Sequence, residues 1–181
     1  MNIEWQHRDS VNEAGINNKL KQCLFHNGSL SFFLKEKCTG VFQVEPESES
    51  WQQPMPDEAE SLSLEKHADV FIRESWLKSD DIRLVYARTV IPEITAAADN
   101  GRLTKLGAKP LGEILFADDT THRANVRYAI IPDDCELYKL VTNDIKITEE
   151  IWGRQSLFFM QNKPLLISEV FLPSLTTCIQ D

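Results

Sequence analysis

The sequence predicts a single α+β domain over residues 1–181, with an antiparallel β-sheet and flanking helices. β-rich runs at 70–77 and 82–91, and again at 157–160 and 164–173, are joined by turn-forming residues, as in antiparallel hairpins. Ahead of them, apolar residues recur at helical spacing. Because 42% of the 181 residues are hydrophobic, a chain of this length can bury a sizeable core.

The charge and composition narrow the class of protein. A formal net charge of -9 disfavours nucleic acid as a partner, because phosphate contacts need clustered lysine and arginine. The N-terminus lacks a secretory signal, and no stretch approaches the roughly 20 apolar residues that span a bilayer, so we expect a cytoplasmic protein that is not embedded in a membrane. The cysteines are scattered without a CxxC pair, which predicts reduced thiols and no metal site.

The N-terminal segment predicts a helical hairpin followed by a strand. Apolar side chains at helical spacing predict an amphipathic helix over 16–25. Ser29 is placed to cap a second helix that ends near Lys37. Valine and phenylalanine at 41–44 then favour a strand.

The segment 45–66 breaks this pattern, since it is rich in Glu, Ser, Pro and Gln around an isolated Trp51. Such a composition is poor material for a core element and predicts a long acidic surface loop. The loop is either a solvated excursion or a lid whose apolar contact is Trp51 or Met55.

In the first predicted strand pair, side-chain alternation places Arg73 and Arg88 each among apolar side chains. A short helix or turn is expected at 96–101. Pro110 suits a first helical turn, so a helix N-terminus is predicted near Leu111. The unpaired backbone N–H groups of such a terminus bind either an anion or water.

Weaker strand candidates follow at 123–131 and 135–141, ahead of the second hairpin. In the last predicted strand, Glu169 shares a face with Ile167 and Phe171. A carboxylate among apolar side chains is either paired, neutralised or placed for use, because an isolated buried charge is costly.

Four charged residues thus stand on or beside apolar strands: Arg73, Arg88, Arg154 and Glu169. Each alone is more often part of a structural ion pair than of an active site. Together with the helix start at Leu111, they indicate a closed pocket in which arginine and backbone amides bind a carboxylate. Glu169 would face a polar or reacting group there.

Five segments, in their order and spacing, resemble the chorismate pyruvate-lyase family: FIRE at 71–74, ARTVIP at 87–92, LGAKPLG at 106–112, WGRQS at 152–156 and PLLISEVFLP at 164–173. The resemblance covers 70–173 and extends more loosely through the N-terminal helices. It implies a lyase that converts chorismate to 4-hydroxybenzoate and pyruvate at the entry to ubiquinone synthesis, with no metal or organic cofactor. It also implies a monomer whose ligand lies buried beneath helical flaps.

By position, the resemblance assigns roles to individual residues. It implies that Arg73 and the backbone N–H of Leu111 hold the ring carboxylate, while Glu169 faces the ring hydroxyl. Arg73 and Glu169 are therefore the expected catalytic residues. Glu169 either accepts a proton or only binds the hydroxyl, and hydroxyl binding is favoured.

The resemblance implies further substrate-binding positions. Arg88 and Arg154 match basic positions of the family, and at least one of them is expected to help place the enolpyruvyl carboxylate. Leu30 falls where the family has a pocket methionine. The segment 45–66 matches the family poorly.

The second interpretation is a non-catalytic sensor of aromatic carboxylates, because effector domains of certain winged-helix transcription regulators resemble the same fold. The segment ahead of Val70 is acidic and too short for a winged helix, which disfavours a DNA-binding regulator. A binder that keeps the pocket without turnover is still an alternative.

Overall fold

The structure is a computed structural model that describes residues 2–65 and 67–180, and these residues form one six-stranded sheet in which all paired strands are antiparallel. The strands are β1 (Phe42–Gln52), β2 (Val70–Ser79), β3 (Ile82–Pro92), β4 (His122–Ile130), β5 (Trp152–Met160) and β6 (Lys163–Phe171). The helices are α1 (Asn18–Leu24), α2 (Leu30–Lys37), α3 (Pro56–Ser61), α4 (Glu93–Ala98), α5 (Leu111–Ala117), α6 (Glu136–Val141) and α7 (Leu175–Cys178). The predicted α+β class is confirmed. The first and last residues of the predicted domain lie outside the described residues.

Both predicted β-hairpins are present, as β2 with β3 and β5 with β6. In the second turn, Gln161 and Asn162 both have positive φ, at 49° and 58°, as a type I′ turn requires. The strand order is β1-β2-β3-β6-β5-β4, so the two hairpins meet where Ala87 of β3 lies opposite Glu169 of β6. The weaker candidate at 123–131 forms β4 at one edge.

The predicted helical hairpin is present as α1 and α2. Asn17 caps α1 because its side chain accepts a hydrogen bond from the backbone N–H of Lys19. Ser29 caps α2 in the same way through the N–H of Phe32. Together with α7, a short helix that the sequence did not predict, these helices pack on one face of the sheet.

The prediction of a surface loop at 45–66 is wrong, because β1 and α3 occupy most of it; its last residue, Lys66, lies outside the described residues. β1 is an edge strand whose side chains are mostly exposed, so it has no apolar stripe that a sequence pattern would display. Its acidic side chains instead bind polar groups of β2, as Glu49 does with Arg73. The polar composition of this exposed edge strand therefore led to the incorrect prediction of a loop.

The strand predicted at 135–141 is also wrong, since this segment is α6. Leu137 and Val141 are buried four residues apart, which is the helical period. Cys135 caps the helix by accepting a hydrogen bond from the N–H of Tyr138. A run of six residues is too short for apolar spacing to separate a helix from a strand.

Side-chain alternation divides the charged residues between two faces of the sheet. One face, here named the pocket face, carries Arg73 and Glu169 and is covered by α1, α2, α5 and α7. The opposite face, the rear face, carries Arg88 and is covered by α3 and α6. The sheet thus separates two sets of charges that look equivalent in the sequence.

A buried ion network on the rear face joins α3 to β2 and β3. Arg88 donates from Nε to Glu58 at 2.7 Å and from Nη1 to Glu74 at 2.6 Å. Burial acts to raise the pKa of Glu74, but hydrogen bonds from Ser48 and Tyr86, with the charge of Arg88, hold that pKa below its ordinary value of 4.5. Glu74 therefore stabilises the fold above about pH 4.5, and the stabilisation is lost as pH falls through the lower folded-state pKa.

Arg88→Met is expected to lower the free energy of unfolding by about 3–5 kcal/mol, because it leaves two buried carboxylates without their cation. Urea unfolding measures the change. Lys21→Met is the control, since Lys21 pairs at 3.6 Å with Glu13 at the surface, and its loss should leave the free energy of unfolding almost unchanged. Equal stability of the two variants would contradict a structural role for Arg88.

Candidate active site

A pocket lies on the pocket face, between the sheet and the helices α2 and α5. The residues that line it are Leu30, Ser31, Val44, Arg73, Ser75, Leu77, Ala87, Thr89, Pro110, Leu111, Gly112, Leu115, Phe116, Arg123, Phe158, Ile167 and Glu169. Most of these side chains are apolar. The charges of Arg73, Arg123 and Glu169 therefore act in a poorly hydrated space, where electrostatic interactions are stronger than in water.

Arg73, on β2, forms one end of the pocket and is only 2% exposed. It donates from Nε to Glu49 at 3.1 Å and from Nη1 to Ser75 at 3.3 Å. Nη2 donates to the backbone carbonyls of Gly107 and Lys109, at 2.8 and 3.1 Å. Burial lowers the pKa of Arg73, whereas the charge of Glu49 raises it. The guanidinium is thus fixed in position while it anchors the loop that precedes α5.

The N-terminus of α5 lies beside Arg73 because of this anchored loop. Pro110 is the residue before the helix and Leu111 is its first residue, as predicted, so the Leu111 N–H has no acceptor within the helix. A backbone donor and a guanidinium therefore share this end of the pocket. Such a pair of donors is suited to bind a carboxylate.

Glu169, on β6, forms the other end of the pocket. Its Oε2 accepts a hydrogen bond from Nε of Arg154 at 2.7 Å and lies 2.7 Å from Nη2 of the same guanidinium. Nη1 of Arg154 donates to the carbonyls of Cys23 and His26, at 3.2 and 2.8 Å, where α1 ends. Among the described residues, none donates a hydrogen bond to Oε1 of Glu169. One carboxylate oxygen is therefore available to a molecule in the pocket.

Arg73 and Glu169 are well separated. Their strands, β2 and β6, lie on either side of β3, so a strand spacing of about 4.8 Å puts the two backbones roughly 10 Å apart. Apolar side chains, including Leu115 and Ile167, line the space between them. One end of the site thus offers hydrogen-bond donors to an anion, and the other end offers an acceptor to a donor group.

Four of the six predicted site residues line this pocket: Leu30, Arg73, Leu111 and Glu169. Arg154 does not line it, because its guanidinium holds Glu169 and the end of α1. The prediction that Arg88 helps bind substrate is wrong for this pocket. Its neighbours Ala87 and Thr89 face the pocket, so alternation turns Arg88 to the rear face.

One lining residue that carries a charge was not predicted: Arg123, near the start of β4. It donates from Nη1 to the carbonyls of His26 and Asn27, at 3.4 and 3.1 Å, and from Nη2 to that of Gly28 at 3.5 Å. Its guanidinium carbon lies 4.9 Å from the centre of the Phe158 ring. In the sequence, Arg123 lies in a segment for which the strand prediction was weak, and no local pattern distinguished it from the other arginines.

Several other properties of the described residues bear on the class of site. Within 2–65 and 67–180, no group of three or more His, Cys, Asp or Glu side chains is placed to hold a metal ion. The four cysteines are buried and free. None of the helices described is both long and apolar enough to cross a membrane.

The fold resembles that of two solved protein domains. The TM-score is 0.55 with the PhnF C-terminal domain, at 10% identity over 77% of this chain and 87% of that one. It is 0.51 with the ligand-binding domain of a putative GntR-family regulator from Bordetella bronchiseptica, at 10% identity over 74% and 84%. At such identities the likeness shows the fold alone. The class is therefore an α+β domain with one antiparallel sheet and an internal pocket.

The family is shown by sequence. The family model described as chorismate lyase matches residues 1–179. A probable chorismate pyruvate-lyase from Methylococcus capsulatus is 36% identical, over 86% of this chain and 95% of that relative. Another, from Pseudomonas aeruginosa, is 30% identical over 96% and 93%. The chain therefore belongs to the chorismate lyase family, which confirms the resemblance and the predicted lyase class.

The helices α2 and α5, with the loops that lead into them, cover the pocket and are here named its roof. The two helices are in close contact at Gly112. A Cβ added to Gly112 would lie 2.6 Å from Oγ of Ser29, the atom that caps α2. We expect Gly112→Ala to force this hydroxyl away from the Phe32 N–H and to lower the free energy of unfolding by about 1–2 kcal/mol. Urea unfolding measures the change.

A double-mutant cycle isolates this contact. Ser29→Gly removes Oγ while glycine is still tolerated as a cap, so it makes room for the new methyl group. The variant that carries both Gly112→Ala and Ser29→Gly should therefore lose less stability than the sum of the single variants. Additive losses would show that the two helices do not meet through these atoms.

Proposed function

We propose that this protein is a chorismate pyruvate-lyase that converts chorismate to 4-hydroxybenzoate and pyruvate. One observation carries the proposal. In a chain of this family, Arg73 and the Leu111 N–H stand at one end of a pocket, and Glu169 stands at the other. The product 4-hydroxybenzoate has a carboxylate and a hydroxyl at opposite ends of a flat ring, which matches those donors and that acceptor.

The binding mode follows from this polarity. The ring carboxylate accepts hydrogen bonds from the Arg73 guanidinium and the Leu111 N–H, and bonds to a charged acceptor are stronger than neutral ones. The ring hydroxyl donates to the available Oε1 of Glu169. The apolar walls around Leu115 and Ile167 contact the ring faces and exclude water.

The reaction breaks the C–O bond between the ring and the enolpyruvyl group, and it removes the proton from the adjacent ring carbon, which carries the hydroxyl. The C–H electron pair forms the last double bond of the aromatic ring. The C–O electron pair leaves on enolpyruvate, which takes up a proton and becomes pyruvate. Aromatisation drives the step, so the protein need only orient and desolvate the substrate and stabilise the departing anion.

Glu169 acts in this scheme mainly by binding the hydroxyl. Arg154 binds its Oε2, which holds the carboxylate in place as a hydrogen-bond acceptor. The departing proton and the hydroxyl share one ring carbon, so the same carboxylate also lies near the proton. A contribution to proton removal is therefore compatible with this placement.

A sensor is the second candidate, favoured by the fold likeness to a regulator's ligand-binding domain. The segment ahead of Val70 belongs to the same domain as the pocket, because β1 pairs with β2 along its length and Leu30 of α2 lines the pocket. Turnover separates the two candidates. A sensor binds 4-hydroxybenzoate but leaves chorismate intact.

The proposed setting is cytoplasmic synthesis of a ubiquinone-type product by a monomer. Four free, buried cysteines support a reducing compartment. The product, 4-hydroxybenzoate, is the compound that such a pathway would consume.

Arg73→Met is expected to weaken binding of 4-hydroxybenzoate by about 10- to 100-fold, because a hydrogen bond to a charged group is worth about 1.5–3 kcal/mol. Isothermal titration calorimetry measures the affinity. The control is Glu49→Gln, which removes the carboxylate beside Nε but leaves the guanidinium, and this variant should bind the anionic ligand at least as tightly as the wild type. If Arg73→Met binds 4-hydroxybenzoate as tightly as the wild type does, Arg73 does not bind the ligand.

Purified protein is expected to release pyruvate and 4-hydroxybenzoate from chorismate in equal amounts, as measured by a coupled pyruvate assay and chromatography. Glu169→Gln keeps the shape of the side chain without its charge, and we expect kcat to fall about 100-fold with the fold intact. Glu113→Gln, on the exposed side of α5, is the matched control and should keep full activity.

Absence of both products with the wild-type protein would refute the lyase function. Wild-type turnover in Glu169→Gln would instead leave the lyase function standing and make the carboxylate purely structural.

A further inference from the structure

Arg123 is the one charged residue of the pocket lining that has no assigned role. Its guanidinium makes no ion pair with a carboxylate among the described residues, and its Nε is buried without a hydrogen-bond partner. Burial lowers the pKa of Arg123, and repulsion from Arg154 acts in the same direction, so a nearby anion would relieve both effects.

The other two arginines at the site each have a carboxylate. Arg73 pairs with Glu49, and Arg154 pairs with Glu169. Arg123 donates only to backbone carbonyls, which leaves one positive charge unmatched. A cation in a poorly hydrated pocket without a counter-ion favours an anionic ligand.

The unmatched charge lies at the Glu169 end of the pocket. Arg123 and Arg154 both donate to the carbonyl oxygen of His26, at 3.4 and 2.8 Å, so the two guanidiniums are close neighbours. Arg154 in turn holds Glu169. The side chain of Arg123 is fixed on one side by the α1–α2 connection and on another by the ring of Phe158.

We infer that Arg123 binds the enolpyruvyl carboxylate of chorismate, with its unpartnered Nε as a donor. This inference rests on the proposed function. Chorismate has two carboxylates, and Arg73 with Leu111 takes the one on the ring. The enolpyruvyl group is attached to the carbon next to the hydroxyl carbon, so its carboxylate lies at the Glu169 end, where Arg123 stands.

The assignment has two chemical consequences. Negative charge grows on the enolpyruvyl group as the C–O bond breaks, so a fixed guanidinium there stabilises the departing anion. The product 4-hydroxybenzoate lacks this second carboxylate. Arg123 therefore distinguishes substrate from product, whereas Arg73 binds both.

The test compares substrate and product in the same variants. Arg123→Gln is expected to lower kcat/KM for chorismate about 10- to 100-fold, the loss typical of one hydrogen bond to a charged group. Its Kd for 4-hydroxybenzoate, measured by calorimetry, should change less than about threefold. Arg123→Lys keeps the charge and should recover most of the activity.

Arg127→Gln is the matched control. Arg127 lies on the same strand, but its side chain binds Ser61 and Gln155 on the rear face, so both parameters should stay at the wild-type level. If Arg123→Gln weakens product binding as much as it lowers kcat/KM, Arg123 merely supports the α1–α2 connection and the inference is overturned. Unchanged kcat/KM in Arg123→Gln overturns it as well.

Turnover of chorismate by the wild-type protein shows whether a negative result concerns the proposed function or only the role of Arg123. If the wild type does not convert chorismate, the proposed function fails and the inference falls with it. If the wild type turns over and Arg123→Gln behaves like Arg127→Gln, only the inference fails.

Discussion

The ion pair between Glu169 and Arg154 is the interaction on which the site depends. Arg154 is only 1% exposed, and it joins a central strand of the sheet to the end of α1 through the carbonyls of Cys23 and His26. Truncation of Arg154 would leave the Glu169 carboxylate without its cation, at a cost of about 3–5 kcal/mol. The pair thus fixes the position of a carboxylate in an apolar pocket, while its Oε1 accepts no hydrogen bond from a described residue.

Two other guanidiniums also bind backbone carbonyls of segments that cover the pocket. Arg73 holds the loop ahead of α5 through the carbonyls of Gly107 and Lys109, and Arg123 holds the connection between α1 and α2. Backbone carbonyls in such loops need donors when they are buried. Each arginine therefore both fixes a segment of the roof and adds a charge at or beside the pocket, so the roof and the binding groups form together.

Local signals explain how much the sequence could predict. Turn residues, helix caps and the proline ahead of Leu111 specified both hairpins and the start of α5. The segment 45–66 was incorrectly predicted as a loop because an edge strand shows no apolar stripe.

The site residues were harder to predict than the elements. Arg73 and Arg88 look alike in sequence, and only the pairing of strands and the helices on each face assign one to the pocket face and the other to the rear face. Arg123 was missed because its unpartnered state depends on contacts that are distant in sequence.

The claim that Arg73 and Glu169 form the two ends of one substrate pocket is tested most directly by a crystal structure of the protein with 4-hydroxybenzoate. The ligand carboxylate should lie within about 2.7–3.2 Å of the Arg73 guanidinium and the Leu111 N–H, with the hydroxyl on Glu169. A ligand bound in the reverse direction, or on the rear face beside Arg88, would contradict the claim.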